Sequence, residues 1–166
     1  MTDLSVNVCV VCLGNICRSP MAAAVLDHLI ERAGLADAVT VTSAGTGDWH
    51  VGEPADPRTV AALHERGLDA TEHRARQFTA DEFDKYDLIL AMDRDNYATL
   101  RRLAPADADL SRLRMFRSFD PDADESQLDV PDPYYGGRDG FAHVLAQVER
   151  AAAGFVQTLR EELSDR

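Results

Sequence analysis

The feature that most constrains the fold is an apolar run near the start of the chain, followed at once by a turn and a helix. Residues 6–11 are almost continuously apolar and rich in β-branched side chains, which is typical of a strand buried on both faces of a parallel sheet. Ser19 and Pro20 suit the first positions of a helix, and the apolar spacing of a helix continues over residues 21–30. Because such a strand needs helices on both faces, the sequence predicts an α/β fold.

The rest of the chain repeats this alternation of strands and helices. Strands are predicted at residues 39–44, 86–91 and 113–116, helices at 58–66, 93–103 and 140–163, and a short helical turn at 79–83. Residues 118–138 are rich in Asp and Pro and are predicted to form a long loop. The sequence has no internal repeat and no linker, so we expect a single domain over residues 1–166, with an open, mostly parallel sheet between two layers of helices.

The charge of the chain limits the partners that it can bind. The formal net charge at pH 7 is −12 over 166 residues, which argues against nucleic acid or an anionic membrane as the main partner. The first residues lack the features of a signal peptide, and no apolar run is long enough to span a bilayer. We therefore expect a cytoplasmic protein that binds neither nucleic acid nor membrane, with secretion by a signal-independent route left open.

The three cysteines, Cys9, Cys12 and Cys17, all lie near the N-terminus. An odd, clustered set of cysteines in a reducing compartment is a poor disulfide framework. The histidines are scattered and no second pair of cysteines exists, so a zinc site is not expected. The sequence therefore predicts neither a metal nor a cofactor, and Cys9 is expected to be an unreactive core residue of the first strand.

The turn between the first strand and the first helix has the composition of a phosphate-binding loop. It runs from Cys12 to Ser19 and contains Gly14 and Asn15, which tolerate the positive φ needed to curl backbone amides around an oxyanion. The start of the helix adds the positive end of its dipole, and Arg18 can hold two phosphate oxygens at once. These groups together favour a thiolate at Cys12, to which Ser19 can donate a hydrogen bond.

This turn, residues 12–19, which we call the cradle, is therefore predicted to be a phosphate site with a nucleophile at its base. It is not the nucleotide-binding phosphate loop, because no Gly-Lys-Ser or Gly-Lys-Thr follows. The alternative is that Cys12 is a small buried apolar residue and that Arg18 is a solvated residue at the start of a helix.

The segment from Cys12 to Pro20, Cys-Leu-Gly-Asn-Ile-Cys-Arg-Ser-Pro, resembles the signature of the low-molecular-weight protein tyrosine phosphatases. The resemblance continues, in the order of the family and over its length, through residues 43–46, Trp49, 73–77, 91–93 with Asn96, and 132–134. It implies a four-stranded parallel sheet flanked by helices. It also implies metal-free hydrolysis of phosphotyrosine in proteins or peptides through a phosphocysteine intermediate, with Cys12 as nucleophile and Arg18 as phosphate clamp.

Such a reaction needs a general acid to protonate the leaving oxygen, which speeds the step by roughly 10²- to 10⁴-fold. The residues alone do not choose among the many acidic side chains of the chain. The resemblance selects Asp132 in the segment Asp132-Pro133-Tyr134, where Pro133 stiffens the loop. Without the resemblance, an Asp-Pro pair would be interpreted as an ordinary turn.

Several residues are expected to contact the substrate. Trp49, Tyr134 and Tyr135 are candidates for aromatic walls that enclose a phenyl ring, although a core position for Trp49 is equally compatible with the sequence. A phosphoserine side chain is too short to bring its phosphorus atom to a thiolate at the base of such walls. The other substrate-binding candidates belong to the cradle and are Leu13, Gly14, Asn15, Ile16, Cys17 and Ser19. Leu13 and Ile16 form its apolar rims.

Ser43, His73 and Asp93 resemble family residues that brace the cradle or fix its arginine. From the residues alone, His73 would be a solvated loop histidine and Asp93 a helix N-cap. Cys17 lies on the same turn as Cys12, so a sulfenic acid at Cys12 could condense with it under peroxide, which predicts a redox-sensitive enzyme. The alternative is that Cys17 only packs.

Three other functions are alternatives to phosphotyrosine hydrolysis. In the phosphoarginine-specific branch of the family a Thr tends to occupy the position of Ile16, so Ile favours phosphotyrosine. An arsenate-reductase-like enzyme on this fold needs a further cysteine outside the turn, and none follows Cys17. A phosphotyrosine-binding module without turnover is disfavoured because Cys12, Arg18 and a candidate acid are all present.

The expected partners are tyrosine-phosphorylated proteins or peptides, and the expected state is a monomer.

Overall fold

The computed structural model of the chain describes residues 5–134 and 138–164. The strands are β1 (Val6–Cys12), β2 (Val39–Gly45), β3 (Leu88–Ala91) and β4 (Leu113–Met115). They form one parallel sheet in the order β2-β1-β3-β4. The helices are α1 (Arg18–Arg32), α2 (Pro57–His64), α3 (Arg94–Leu103) and α4 (Arg138–Ser164), with short 3₁₀ helices at Ala80–Asp84, Leu110–Arg112 and Phe116–Phe119.

The central strand β1 is buried on both faces, as its apolar sequence predicts. Val8 and Val10 belong to an apolar cluster that includes residues of α1 and α4. Cys9 and Val11 point the other way, into a second cluster that includes Leu100 of α3. The sheet therefore lies between two layers of helices, which confirms the predicted α/β fold with a four-stranded parallel sheet.

Some element boundaries differ from the predicted ones. Helix α2 ends at His64, two residues early, because the chain turns at residues 65–67 and Gly67 has a φ of +75°. Strand β3 begins at Leu88, two residues later than predicted. Strand β4 is one residue shorter than predicted, because Phe116 begins a 3₁₀ helix.

Helix α4 lies unusually close to the 3₁₀ helix at Phe116–Phe119. A Cβ atom added to Gly154 would lie 1.8 Å from the carbonyl oxygen of Phe119, so only glycine permits this approach. The rings of Phe119 and Phe155 meet edge to face beside it, with centroids 4.9 Å apart. These contacts hold α4 against the 3₁₀ helix that follows β4.

The carboxyl ends of three strands meet at one edge of the sheet. Cys12 ends β1, Gly45 ends β2 and Ala91 ends β3, and the paired registers place Cys12 beside Gly45. Ligands of parallel α/β sheets bind beyond this edge. The cradle follows β1 directly and therefore lies there.

Among the helices that the structure describes, none combines the length and the apolar character needed to cross a membrane. That residues 1–166 form a single domain stays a prediction.

Candidate active site

The cradle wraps around the sulfur atom of Cys12. The amide of Asn15 donates toward this atom with an N···Sγ distance of 3.3 Å, and the hydroxyl oxygen of Ser19 lies 3.0 Å from it. Asn15 has a left-handed φ of +59°, a conformation that asparagine adopts more readily than most residues. Cys12 ends β1 and Ser19 lies in the first turn of α1, so the strand and the helix fix the distance between the two side chains.

Hydrogen bonds hold Asn15 in this conformation from several directions. Its side-chain nitrogen donates to the hydroxyls of Ser19 at 2.7 Å and Ser43 at 3.0 Å. Its side-chain oxygen accepts from the amide of Arg76 at 2.9 Å, and its carbonyl oxygen accepts from Nε2 of His73 at 2.6 Å. Ser43 and His73 thus contact the residue that gives the cradle its shape, which is where bracing residues are needed.

The imidazole of His73 is neutral near pH 7. Burial lowers the pKa of His73, and the hydrogen bond to Asn15 offsets this only in part. Because a carbonyl oxygen can only accept, the proton of the neutral ring lies on Nε2. His73 therefore supports the cradle without adding a charge beside it.

Arg18 is a fixed and buried cation, with 2% of its surface exposed. Its Nη1 donates to Oδ2 of Asp93 at 2.6 Å and to the carbonyl oxygen of Val130 at 2.9 Å, while its Nη2 lies 3.6 Å from Oδ2 of Asp132. Burial alone would lower the pKa of Arg18, but Cys12 and the two carboxylates outweigh it and the pKa is raised. The alternative of a solvated arginine is wrong.

Asp93 combines the two roles that the sequence suggested for it. One carboxylate oxygen pairs with Arg18, and the other accepts a hydrogen bond from the amide of Asn96 at 2.7 Å as the N-cap of α3. The orientation of Arg18 is therefore tied to the start of α3, which packs on the face of the sheet opposite to α1.

Asp132 lies in the loop that precedes α4, close to the cradle. Its Oδ1 accepts a hydrogen bond from the amide of Tyr134 at 3.0 Å, and its Oδ2 faces Nη2 of Arg18 at 3.6 Å. The side chain keeps 37% of its surface exposed, so it remains accessible to a ligand or to water. The fold thus brings Cys12, Arg18 and Asp132 together from distant parts of the chain.

A cleft of about 440 Å³ opens at this edge of the sheet. Trp49 lines it and is 68% exposed, so the alternative of a core tryptophan is wrong. Leu13 and Tyr134 line the cleft and are also exposed, whereas Tyr135 lies outside the described residues. The lining residues are Cys12, Leu13, Gly14, Ile16, Cys17, Arg18, Trp49, His50, Asp132 and Tyr134.

Two of the substrate-binding candidates lie behind the cleft. Asn15 and Ser19 expose none of their surface, and their side chains bond to each other and to the cradle. Their side chains shape the turn from its buried side, while the amide of Asn15 points at the sulfur of Cys12.

Sequence reasoning missed His50, which lines the cleft. Its Nδ1 lies 3.0 Å from Oε2 of Glu53, and its ring lies 6.4 Å from that of Tyr134. A Cβ atom on Gly14 would lie 3.0 Å from Cδ2 of His50, so Gly14 lets this loop approach the cradle. The available signal was the position of His50 next to Trp49 in the sequence.

The two other cysteines are buried thiols. Burial raises the pKa of Cys17 to about 12, with further upward contributions from Asp56 and Cys12. Burial also raises the pKa of Cys9 to about 11, which agrees with the predicted core position. Both side chains are therefore protonated near pH 7 and are weak nucleophiles.

Phosphoryl transfer through sulfur requires a cysteine, a fixed cation and an accessible carboxyl group at one place, and the cleft brings Cys12, Arg18 and Asp132 together in this way. A model of the low molecular weight phosphotyrosine protein phosphatase family matches residues 7–165. The chain belongs to this family.

Individual relatives agree with this assignment over nearly their whole length. A low molecular weight protein-tyrosine-phosphatase of Streptomyces coelicolor is 50% identical over 163 residues, which cover 98% of this chain and 99% of the relative. Low molecular weight protein-tyrosine phosphatase A of Mycobacterium tuberculosis is 44% identical over 158 residues, covering 95% and 94%. The crystal structure of a protein tyrosine phosphatase from Entamoeba histolytica, with Hepes in its active site, superposes with a TM-score of 0.89 at 35% identity, covering 95% and 99%.

Proposed function

We propose that the protein hydrolyses phosphotyrosine in proteins and peptides through a phosphocysteine at Cys12. The observation that carries the proposal is the convergence of a sulfur atom, a fixed guanidinium and an accessible carboxyl group on one cleft, from Cys12, Arg18 and Asp132. Membership of the family, and relatives named as protein-tyrosine phosphatases, support the same reaction.

In the first step the thiolate of Cys12 attacks the phosphorus atom in line with the leaving oxygen. A sulfur–phosphorus bond forms, the phosphorus–oxygen bond to tyrosine breaks, and Asp132 gives its proton to the departing phenolate. The amides of the cradle and Arg18 hold the three equatorial oxygens, which carry the charge of the transition state. These groups supply the positive field that a metal ion supplies in other phosphatases.

In the second step water attacks the phosphocysteine. The carboxylate of Asp132 accepts a proton from the water, a new phosphorus–oxygen bond forms, and the thiolate of Cys12 leaves. Ser19, whose hydroxyl lies 3.0 Å from the sulfur, can donate a hydrogen bond to the thiolate in both steps. Inorganic phosphate then leaves the cradle.

The depth and the walls of the cleft favour a phenyl ester. Cys12 is 2% exposed at the base, while Leu13, Trp49 and Tyr134 stand 37% to 68% exposed around the same cleft. A phenyl ester places its ring between the buried sulfur and these exposed side chains, where the ring offers flat faces to Trp49 and Tyr134. The apolar side chain of Ile16 lines the base without a hydrogen-bond donor of its own.

The test is a panel of three peptides of one sequence that carry phosphotyrosine, phosphoserine or phosphoarginine, assayed with EDTA present. We expect kcat/KM for phosphotyrosine to exceed that for phosphoserine by at least about 10²-fold, because misplacing a reacting atom by an ångström has an effect of this size. A preference for phosphoarginine, tight binding without turnover, or loss of activity in EDTA would each contradict the proposal.

We further propose that peroxide switches the enzyme off reversibly. The thiolate of Cys12 would attack peroxide to give a sulfenic acid and hydroxide, and Cys17 would then displace water to form a disulfide. The high pKa of Cys17, about 12, slows the second reaction, because the attacking species is a thiolate. After peroxide and then thiol, wild type is expected to recover more activity than Cys17→Ala, and equal recovery would contradict the protective role.

We also propose that the protein acts as a monomer in the cytoplasm. The net charge of −12 disfavours nucleic acid and anionic membranes as partners, and tyrosine-phosphorylated proteins are the proposed substrates.

A further inference from the structure

The guanidinium group of Arg58 contacts two aromatic rings. Its Cζ atom is 4.5 Å from the ring centroid of Phe141, which is buried in α4, and 5.4 Å from that of Tyr134, which lines the cleft. Both distances are within the range of cation–π contacts. Arg58 itself belongs to α2 and does not line the cleft of about 440 Å³.

The orientation of this guanidinium is fixed by Asp56. Nε of Arg58 donates to Oδ1 of Asp56 at 3.0 Å, and Nη2 donates to Oδ2 at 2.9 Å, which is a two-pronged arrangement of planar groups. Asp56 is 8% exposed and caps α2 through the amide of Arg58. The planar guanidinium of Arg58 is therefore held in one orientation, unlike that of a solvated surface arginine.

Both ends of this pair connect to the active site. The amide of Asp56 donates to the carbonyl oxygen of Ile16 in the cradle at 2.8 Å. At the other end, the amide of Tyr134 donates to Oδ1 of Asp132 at 3.0 Å. A continuous set of contacts thus runs from the cradle through Asp56 and Arg58 to the proposed acid.

The loop that carries Asp132 is anchored on each side of that residue. Its near side is held at Val130, whose amide donates to the carbonyl of Met92 at 2.7 Å and whose carbonyl accepts from Arg18 at 2.9 Å. Beyond Asp132, the contact of Tyr134 with Arg58 ties the loop to α2.

We infer that Arg58 is a positioning residue for Asp132, holding the acid-bearing loop at the distance from which it can protonate the leaving oxygen. This inference rests on the proposed function, in which Asp132 is the general acid. Because Arg58 is not among the residues that line the cleft, its loss should leave phosphate binding unchanged. It should impair the step in which the leaving group takes up a proton.

The experiment compares two substrates that differ in their need for that proton. Phenyl phosphate releases a phenolate as basic as that of tyrosine, with a pKa of about 10, whereas para-nitrophenyl phosphate releases a much weaker base. For Arg58→Lys, which keeps the charge but lacks the planar group, we expect kcat/KM to fall about 30-fold with phenyl phosphate and only about 3-fold with para-nitrophenyl phosphate. Inhibition by inorganic phosphate should stay within about twofold of wild type.

Two further variants make the result specific. Phe141→Leu removes the second ring that contacts the guanidinium. It should change the ratio of kcat/KM between the two substrates in the same direction as Arg58→Lys. Arg66→Gln is the matched control, because Arg66 also links the α2 region to α4, through Glu149 at 3.4 Å, but does not contact Tyr134. Its substrate ratio should equal that of wild type, and thermal unfolding of each variant checks the fold.

A double-mutant cycle completes the test. In an Asp132→Asn background there is no acid to position, so adding Arg58→Lys should have no further effect on either substrate. Equal losses with both substrates, full additivity in the cycle, or the same shift in Arg66→Gln would overturn the inference. A wild-type protein that turns over neither substrate would instead overturn the proposed function.

Discussion

Replacing Cys12 by serine is expected to abolish turnover of phosphotyrosine peptides, lowering kcat by at least about 10⁴-fold. A hydroxyl is not ionised near pH 7, so the cradle would stabilise a charge that serine does not carry. The contacts of the sulfur, with the amide of Asn15 at 3.3 Å and the hydroxyl of Ser19 at 3.0 Å, can also be made by an oxygen. The variant should therefore fold normally and bind a phosphotyrosine peptide, which calorimetry would measure.

Cys9→Ala is the matched control for this experiment. Cys9 lies in the same strand and is also a buried thiol, but its side chain belongs to the apolar cluster on the other face of the sheet. We expect its kcat to stay within about threefold of wild type, as for a residue that touches no reacting atom. A serine variant at position 12 with kcat within about tenfold of wild type would contradict a phosphocysteine intermediate.

The parts of the site that sequence reasoning could predict are local. Cys12, Asn15, Arg18 and Ser19 lie within eight consecutive residues, and a strand before them and a helix after them fix their relative positions. The sequence offered Gly14 and Asn15 as residues that tolerate a positive φ, and in the structure Asn15 adopts it and Gly14 does not. The central position of β1 was likewise encoded in its own apolar run.

The residues that complete the site come from long-range contacts that carry no such local signal. Arg18 meets Asp93 across 75 positions of sequence, and Asn15 meets the amide of Arg76 across 61. Asp132 could be selected only through the resemblance to a family, since an Asp-Pro pair is by itself an ordinary turn. Arg58 was not singled out, because its aromatic neighbours come from a loop and a helix far along the chain.

For Trp49, an exposed position and a core position fit the sequence equally well. A lone tryptophan is usually buried to a large extent, yet here it is 68% exposed. Its ring packs on the backbone of Gly47, where a Cβ atom would lie 1.9 Å from Cζ3. The glycine that permits this contact is visible in the sequence, but the side to which the loop folds is decided by packing.

Replacing Arg18 by lysine has the second large expected effect, a loss of about 10²- to 10³-fold in kcat/KM for phosphotyrosine peptides. The variant keeps the net charge, so the loss would report geometry rather than long-range attraction. Nη1 of Arg18 is occupied by Asp93 at 2.6 Å and Val130 at 2.9 Å, while Nη2 faces the acid side of the cleft near Asp132. A lysine has one nitrogen, which cannot occupy the positions of Nη1 at the anchoring carboxylate and of Nη2 in the cleft together.

Steady-state kinetics with a phosphotyrosine peptide, together with inhibition by inorganic phosphate, would measure this loss. Both kcat/KM and phosphate affinity should fall, because the clamp contacts phosphate in the ground state and more strongly in the transition state. Arg94→Lys is the control, since Arg94 is 80% exposed and pairs with Asp129 at 3.5 Å on the surface of α3. If the lysine variant at position 18 kept kcat/KM within about threefold of wild type, a single positive charge would suffice, and the proposed division of Arg18 between its anchor at Asp93 and the phosphate would be wrong.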